Sequence, residues 1–338
     1  MMLTECIKKI LKKESLSIDE AQIAMDEIMA GNASPVQISA FLIALKQKGE
    51  SVNEVTGFVS SMRKHSIKIK SKDNNAVDGC GTGGDGAHTF NISTAAAFVA
   101  SSVGVTVAKH GNRSVSSKCG SADILEVIGG NIDPGIEITE KNLNDVGFCF
   151  MFAPRFHPAM KYAGPVRKEL GVRTVFNILG PMTNPASVTR QVIGVYDKSL
   201  MPLMAEVLMK LNSNHVLIVH SKDGLDEFSV SAPTEYIELE NNTINSKTIS
   251  SDEVGLGKYQ LSDLAGGDAY VNMKIFSEVL SGQKSAYRDA VLFNAGALIY
   301  VSGKVETIKD GVELAKKALD SGKSKDKLDQ WVKVSNIE

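Results

Sequence analysis

The stretch VDGCGTGGDGAHTFNISTAAAFVASSV, residues 77–103, indicates the fold class of the chain. A short strand at its start leads into a glycine-rich loop, and the loop leads into an alanine-rich helical segment. Strand, glycine turn and helix in this order are typical of α/β proteins with right-handed crossovers. Buried strands at 105–108 and 215–220 and helical stretches at 93–103 and 200–211 continue the alternation. The sequence therefore predicts an α/β fold with a central, mostly parallel sheet.

Helices alone are predicted on the N-terminal side of this stretch. Ser17 and Ser51 are each followed three residues later by a glutamate, which is the capping-box pattern, and Ser34-Pro35 marks another helix start. Together with apolar residues at helical spacing, these signals predict four helices, at about 3–13, 17–30, 35–48 and 52–65. Further along, a helical insertion with several prolines interrupts the α/β pattern at about 158–190.

Composition and charge exclude several classes of protein. The chain has 338 residues, with 37 Lys and Arg against 39 Asp and Glu, and a net charge of −2. A dedicated nucleic-acid-binding protein would carry an excess of basic residues, and no apolar run approaches the roughly 20 residues of a membrane span. The first residues, MMLTECIKKILKKESLS, lack a signal-peptide core, and the four cysteines include no CxxC pair. We therefore expect a cytoplasmic enzyme or binding protein without nucleic-acid or membrane partners.

The glycine loop predicts a binding site for an anion rather than for a dinucleotide. Gly79, Gly81 and Gly84 satisfy GxGxxG, but a dinucleotide fold also needs an acidic residue at the end of the second strand. The basic run 109–113 stands there instead. The loop still offers backbone N–H groups to an anion, and the helix that starts at 91–94 has free N–H groups suited to phosphate. The alternative is a tight turn followed by an ordinary helix cap.

A second polar loop strengthens the prediction of a phosphate site. This loop, KHGNRSVSSKCGSAD at 109–123, combines three cationic side chains with hydroxyls and glycines that could surround a diphosphate. In isolation it would be interpreted as a solvated turn. However, adjacent crossovers of one sheet bring their loops to the same strand ends, so both loops should line one crevice. Two such loops together indicate a substrate with two phosphate groups.

A third element, Asp223-Gly-Leu-Asp226-Glu227, follows the strand that ends at His220. Adjacent carboxylates repel one another, and a hard cation between them removes that repulsion. A phosphate-rich substrate normally arrives with Mg²⁺, which takes one or two carboxylates. The alternative is a solvated hairpin turn, which Asp-Gly sequences favour. Beside two phosphate loops, a magnesium site is the favoured interpretation.

A resemblance to the anthranilate phosphoribosyltransferase family lies in four segments: GTGGDGAHTFNISTAAAFVA (81–100), KHGNRSVSSKCGSAD (109–123), FAPRFHPAMKYAGPVRKELGVRTVFNILGPMTNPA (152–186) and DGLDE (223–227). They stand in the family's order and at its spacing, and the resemblance covers nearly the whole chain. It implies transfer of phosphoribose from phosphoribosyl pyrophosphate to the amino group of anthranilate, with release of pyrophosphate. That reaction is the second step of tryptophan biosynthesis.

The resemblance also implies a domain organisation and an assembly. A small all-helical domain, residues 1–70, would be completed by the insertion at about 158–190. Residues 76–157 and 191–338 would form the larger α/β domain, which binds phosphoribosyl pyrophosphate. Members of the family are usually homodimers through the helical domain, and we expect two Mg²⁺ ions per subunit.

Site residues follow from the resemblance position by position. Phosphoribosyl pyrophosphate would be held by Gly81, Gly84, Asp85, Thr89, Asn91, Ile92, Ser93, Thr94, Lys109, His110, Gly111, Asn112, Arg113, Ser114, Val115, Ser116, Ser117 and Ser121. Anthranilate would be contacted by Gly81, Asn112 and Arg167, with Arg167 facing its carboxylate. The metal would be bound by Ser93, Asp226 and Glu227. The catalytic residues would be Lys109, Asn112, Arg113 and Arg167.

Two other functions are consistent with parts of the sequence. A pyrimidine nucleoside phosphorylase shares the architecture, but it has a phosphate loop of the Lys-x-Ser-Thr-Gly-Gly type, whereas this chain has Cys80-Gly-Thr-Gly-Gly-Asp85. A non-catalytic nucleic-acid-binding relative would have a basic surface and altered anthranilate or metal residues. The net charge of −2 and the intact motifs argue against it.

Overall fold

The structure, a computed structural model, describes residues 3–114 and 118–337. Its helices are Leu3–Leu11 (α1), Ile18–Met29 (α2), Pro35–Lys48 (α3), Val52–His65 (α4), Ile92–Ser102 (α5), Ser121–Val127 (α6), Ile136–Lys141 (α7), Ala153–Phe156 (α8), Met160–Leu170 (α9), Phe176–Leu179 (α10), Leu200–Lys210 (α11), Ala269–Leu280 (α12), Ala286–Val301 (α13), Ile308–Asp320 (α14) and Lys323–Ser335 (α15). Its strands are Val77–Gly81 (β1), Val107–Gly111 (β2), Phe148–Phe152 (β3), Arg190–Gly194 (β4), His215–Ser221 (β5), Thr234–Glu240 (β6) and Thr243–Ile249 (β7). Among these helices, none is long and apolar enough to cross a membrane.

The four N-terminal helices begin where their caps predict. Ser17, Ser34 and Ser51 each accept a hydrogen bond from the backbone N–H three residues on, and the side chain at that position accepts one from the N–H of the serine. Each such cap stabilises a helix by about 1 kcal/mol. The predicted spans of α1 to α4 are therefore confirmed to within two residues at each end.

The strands form one sheet in the order β3-β2-β1-β4-β5-β6-β7. Strands β1 to β5 are parallel, which confirms the predicted mostly parallel sheet. The antiparallel pair β6 and β7 extends one edge and was not predicted from the sequence. Its two-residue turn, Asn241-Asn242, has φ values of 51° and 58°. Such a turn requires positive φ at both positions, which asparagine tolerates.

Helices cover both faces of the sheet. On one face, Phe98 of α5 stacks on Phe148 of β3 at 4.0 Å between ring centroids, and Trp331 of α15 packs edge-on against both rings. On the other face, the apolar side chains of α1 to α4 and of α9 to α11 form one core with β4 and β5. We propose the division into a helical unit, 1–70 with about 158–190, and an α/β unit, 76–157 with 191–338, because α9 packs against α2 and α3.

Strand β1 lies where the order of the sheet reverses. It pairs with β2 on one side and with β4 on the other, so the chain leaves β1 in one direction and returns to its opposite edge. In open α/β sheets, ligands bind at such a switch point, outside the carboxyl ends of the strands. The loops that follow β1, β2, β4 and β5 all lie at this end.

Candidate active site

The glycines at the ends of β1 and β4 allow another segment to pack directly on the strands. Gly81 and Gly194 are partners in the sheet, and the Thr82 N–H donates to the Gly194 carbonyl at 2.9 Å. A Cβ on Gly194 would lie 1.5 Å from the backbone oxygen of Asp226, and one on Gly81 would lie 2.4 Å from its Oδ2. Side chains at these positions would displace Asp226. The glycines therefore admit the acidic turn after β5 into the crevice.

Two carboxylates of this turn face the glycine loop and the start of α5. The Gly83 N–H donates to Asp226 Oδ2 at 2.9 Å, and the Ser93 N–H donates to Glu227 Oε1 at 3.2 Å. Part of each side chain opens into the crevice, but protein atoms enclose the rest. Burial, followed by the negative charge of Asp85, raises the pKa of Asp226 to about 7. The pKa of Glu227 is also raised well above its ordinary value by burial and by Asp226. The segment does connect the antiparallel strands β5 and β6, as the alternative of a hairpin turn predicted, but its two carboxylates are not fully solvated.

The donor set of this pair fits a hard cation. Within the described residues, no lysine, arginine or histidine lies within ion-pair distance of Asp226 or Glu227. Glu227 Oε2 is buried and has no hydrogen-bond partner in that part of the chain. A cavity of about 20 Å³, room for about one water or ion, is lined by both carboxylates together with Gly81 and Ser93. Carboxylate oxygens without an ion-pair partner are ligands that Mg²⁺ prefers, and binding of the cation would favour the charged form of both groups.

Lys109 of β2 contacts both β1 and the start of α5. Its buried Nζ donates to the Gly79 carbonyl at 2.6 Å and to Ser93 Oγ at 3.4 Å. The segments that follow the two strands also meet, because Asn91 Nδ2 donates to the Cys119 carbonyl at 3.1 Å, and this confirms the expectation that they line one crevice. Behind them, Asp78 accepts hydrogen bonds from Asn184 Nδ2 at 2.7 Å and from the His110 N–H at 3.2 Å. Burial raises the pKa of Asp78 to about 6, although the charge of Lys109 opposes the shift.

The start of α5 is not closed by an ordinary cap. Asn91 occupies the cap position, but its side chain makes no capping hydrogen bond. Its Nδ2 donates to the Cys119 carbonyl at 3.1 Å, and its Oδ1 accepts from Asn272 Nδ2 at 3.0 Å. Of the N–H groups of the first turn, that of Ser93 is directed to Glu227 in the crevice, whereas that of Ile92 donates to the Phe90 carbonyl at 2.8 Å. Three further predicted residues lie beside them: Ile92 and Thr94, buried in α5, and Thr89, which forms an isolated bridge with Ala265.

The rest of the second loop is held by Asp123. Its Oδ2 accepts from the N–H groups of Ser114 and Gly120, and the Asn112 carbonyl accepts from Ser121 Oγ at 3.1 Å. Gly111 is required because a Cβ there would lie 2.4 Å from Ser121 Oγ. Three predicted residues of this loop, Val115, Ser116 and Ser117, lie outside the described residues.

Two predicted residues of the second loop point elsewhere than to the crevice. Arg113 forms ion pairs with Asp123 at 2.9 Å and with Glu126, and these acids raise the pKa of its guanidinium. The His110 ring packs against His157 at 5.0 Å between centroids, on the face of β2 opposite Lys109. Burial lowers the pKa of His110 to about 3 and that of His157 to about 4, so both rings are neutral.

The insertion contributes two arginines. Arg167, in the last turn of α9, is half-buried, and its guanidinium lies 5.2 Å from the Phe176 ring centroid. Burial lowers its pKa, and no acidic side chain of the described residues pairs with it. Arg173 donates to the Gly84 carbonyl at 2.6 Å and stacks on Tyr196. Sequence reasoning assigned no role to Arg173, although a second arginine six residues after Arg167 in the same motif is a signal for one.

Comparison with known proteins gives matches over the whole fold. The α/β domain of a glycosyl transferase family matches residues 73–325, and the helical bundle domain of the same family matches residues 4–66. The anthranilate phosphoribosyltransferase of Thermoanaerobacter sp. is 48% identical over 97% of both chains. The crystal structure of the Thermus thermophilus enzyme of that name has a TM-score of 0.94, with 39% identity over 98% of this chain and 99% of the other. The Saccharomyces cerevisiae enzyme in complex with PRPP and Mg has a TM-score of 0.89, with 28% identity over 98% and 97%.

Proposed function

This chain belongs to the anthranilate phosphoribosyltransferase family, and we propose that the crevice at the β1–β4 switch point is where it carries out the family's reaction. The protein transfers the phosphoribosyl group of phosphoribosyl pyrophosphate to the amino group of anthranilate, and it uses Mg²⁺. The observation that supports the location best is the pair Asp226 and Glu227, two carboxylates without a cationic partner that face the glycine loop.

Phosphoribosyl pyrophosphate is bound by the two glycine-containing loops and the start of α5. The proposed ligands are Gly81, Gly84, Asp85, Thr89, Asn91 to Thr94, Lys109 to Ser117 and Ser121. The N–H groups of a helix N-terminus and of a glycine loop suit phosphate, and Lys109 already donates to Gly79 of β1 and to Ser93 at the start of α5. His110 contributes only its backbone, because its ring lies on the opposite face of β2. Arg113 must exchange Asp123 and Glu126 for the substrate before it can bind phosphate.

Two Mg²⁺ ions per subunit are proposed, held by Ser93, Asp226 and Glu227. When bound, they would neutralise the negative charge that develops on the departing pyrophosphate. The chain's own contribution is the fixed orientation of the two carboxylates, which the N–H groups of Gly83 and Ser93 hold in place. Lys109 adds positive charge on the same side of the crevice.

Anthranilate is bound by Gly81, Asn112 and Arg167. An arginine fork matches the carboxylate of anthranilate, and Arg167 has no acidic partner in the described residues that would compete. The acceptor is a neutral aromatic amine at pH 7, so no strong base is needed before it attacks. Positioning is then the main contribution: Arg167 and Asn112 hold the ring so that its nitrogen lies in line with the C1 atom of the ribose. Direct displacement predicts inversion at C1.

The homodimer and the cytoplasmic location are also proposed. Helices α1 and α3 expose apolar side chains, with Leu11 69% and Val36 77% exposed. Ile23 and Ile43 of the same helical unit are exposed as well, and a contiguous patch of such side chains would serve as the interface. Light scattering should give about twice the mass of one chain, and a mass of one chain at micromolar concentration would reject the dimer.

The function is tested by following the fluorescence of anthranilate. Protein, anthranilate, phosphoribosyl pyrophosphate and Mg²⁺ are mixed, and each component is omitted in turn. Loss of signal that requires all four supports the proposed reaction. A flat trace from folded protein in the complete mixture would reject it, and release of base from uridine or thymidine with phosphate would then identify a nucleoside phosphorylase.

A further inference from the structure

We propose that Arg173 is a positioning residue that couples the two substrate sites. It ties the glycine loop, which binds the phosphates, to the segment that carries Arg167, which binds anthranilate. Occupation of one site is then transmitted to the other. This inference rests on the proposed function, because it takes those two sites as given.

The first observation is how Arg173 holds the loop. Its Nη2 donates to the Gly84 carbonyl at 2.6 Å, and its guanidinium carbon lies 3.7 Å from the centroid of the Tyr196 ring. The N–H of Tyr196 in turn donates to Thr82 Oγ1 at 3.1 Å. Arg173 is exposed, and ordering an exposed arginine costs about 2 kcal/mol of side-chain entropy. No acidic residue of the described part of the chain lies within ion-pair distance of Arg173, although its charge contributes to the lowered pKa of Asp197. Its contacts are with the loop and with the residue that supports the loop.

The second observation is the conformational freedom of the loop itself. Gly83, Gly84 and Gly86 have φ values of 66°, 77° and 76°, a region that only glycine adopts readily. The other contacts that hold this loop come from the α/β unit: the Thr82 N–H bonds to Gly194, and the Gly83 N–H bonds to Asp226. Arg173 provides a contact from the insertion. It therefore transmits movement between the two units at the crevice.

The third observation is the position of Arg173 along the chain. It lies three residues after the end of α9 and three residues before Phe176, the ring beneath the Arg167 guanidinium. A shift of Gly84 on phosphate binding therefore acts on the short segment between α9 and α10, and through it on Phe176 and Arg167. By thermodynamic linkage, the effect of phosphate on anthranilate affinity must equal the effect of anthranilate on phosphate affinity.

The test measures that coupling directly. The Kd of anthranilate is determined by calorimetry with and without Mg²⁺-pyrophosphate, a product that fills the phosphate site without reacting. We expect pyrophosphate to tighten anthranilate binding to the wild-type protein by about fivefold or more. The ratio of the two Kd values, without and with pyrophosphate, is the coupling factor. Arg173→Met keeps the apolar stem against Tyr196 and removes the donor. The coupling factor should therefore fall to about one, while the Kd of anthranilate alone is unchanged. Arg173→Lys can still donate to Gly84 and should recover part of the factor.

Arg190 provides the matched control. It also donates from Nη1 to a backbone carbonyl, that of Val301 at 2.7 Å, but at the amino end of β4. Arg190→Met should keep the wild-type coupling factor. If Arg173→Met does not fold, Tyr196→Leu removes the ring beneath the same guanidinium and should lower the factor in the same way.

Three results would overturn the inference: a wild-type factor of one, an unchanged factor in Arg173→Met, or an equal loss in Arg190→Met. Turnover of anthranilate by the wild-type protein is measured in the same preparation. Turnover with no dependence of coupling on Arg173 rejects this inference alone, whereas absence of turnover rejects the proposed function.

Discussion

A cluster of carboxylates lies at each end of β5, and the pKa values are shifted in opposite directions in the two clusters. At the amino end, Glu238 of the neighbouring strand accepts hydrogen bonds from His215 Nε2 at 3.0 Å, from Tyr300 at 2.7 Å and from Lys247. Burial would raise its pKa, but these three donors outweigh burial and lower it to about 2. Past the carboxyl end, Asp226 and Glu227 have raised pKa values, because burial and the neighbouring acids Asp85 and Asp226 outweigh the charge of Lys109, and no cation of the described residues lies within ion-pair distance of them. The chain neutralises one cluster itself and leaves the other for a cation from outside.

Distance between ligand atoms alone would have selected the wrong cluster. The ligand atoms of His215, Glu238 and Glu240 lie within 4.8 Å of one another, as in a metal site. However, both nitrogens of His215 face a carboxylate, and Lys247 adds a positive charge. A metal ion would have to displace these partners. The identity of the partners, rather than the proximity of the acids, distinguishes a structural network from a binding site.

The largest effect is expected from removing the charges at the crevice. The double variant Asp226→Asn with Glu227→Gln should lower kcat/KM by about a hundredfold or more, because the stabilisation of the departing pyrophosphate is lost. The melting temperature should stay equal or rise, because enclosed charges without a partner destabilise the fold. Steady-state assays and thermal melts check both. Glu238→Gln serves as the control, and a similar loss of activity in that variant would remove the distinction between the clusters.

The next largest effect concerns the anthranilate side of the crevice. Arg167→Ala should raise the KM for anthranilate by about ten- to a hundredfold, because the free energy of a hydrogen bond between charged groups is lost. The KM for phosphoribosyl pyrophosphate should change by less than about threefold. The exposed neighbour Lys168→Ala should alter neither constant. Equal increases in both KM values would contradict the assignment of Arg167 to the carboxylate.

Stability rather than activity should change at the amino end. Glu238→Gln should lower the free energy of unfolding at pH 7 by about 1–3 kcal/mol, the usual contribution of a hydrogen bond to a charged group. A carboxylate with a lowered folded-state pKa stabilises above its unfolded value, and this contribution is lost as the pH falls toward 2. The facing groups are His215, Lys247 and Tyr300. Urea unfolding should show the gap between wild type and variant closing between pH 5 and about pH 2; a gap that widens with acid would contradict the account of Glu238.

The smallest effect is expected for Cys80, which lines the same cavity as the two carboxylates. Burial raises the pKa of its thiol to about 12, so it stays protonated and is a poor nucleophile. Cys80→Ala should keep kcat within about twofold of wild type. A loss of tenfold or more, measured with both substrates saturating, would mean that the thiol takes part in the reaction.

Local patterns in the sequence predicted most of the elements and part of the site. Serine caps determine where α2 to α4 begin, and the glycines of the first loop admit the Asp226 turn. Sequence spacing could not predict the direction of two side chains. His110 alternates with Lys109 along β2 and therefore points to the opposite face. Arg113 forms ion pairs with Asp123 and Glu126, and these pairs depend on where α6 packs.

The antiparallel edge of the sheet and the contacts of Arg173 could not be predicted from sequence patterns either. The pair β6 and β7 is joined by Asn241-Asn242, without the glycine that normally signals a two-residue turn. Arg173 lies in a segment whose local pattern is helical, and its partner Gly84 is 89 residues away. Contacts at such separation depend on how the insertion packs, which no short window of sequence encodes.

The most direct test of the difference between the clusters is equilibrium dialysis of Mg²⁺ in the presence of phosphoribosyl pyrophosphate. Wild type and Glu238→Gln should both retain the proposed two ions per subunit. The variant Asp226→Asn with Glu227→Gln should retain markedly less. Equal retention by all three proteins would contradict the assignment of Asp226 and Glu227 as the metal-binding pair.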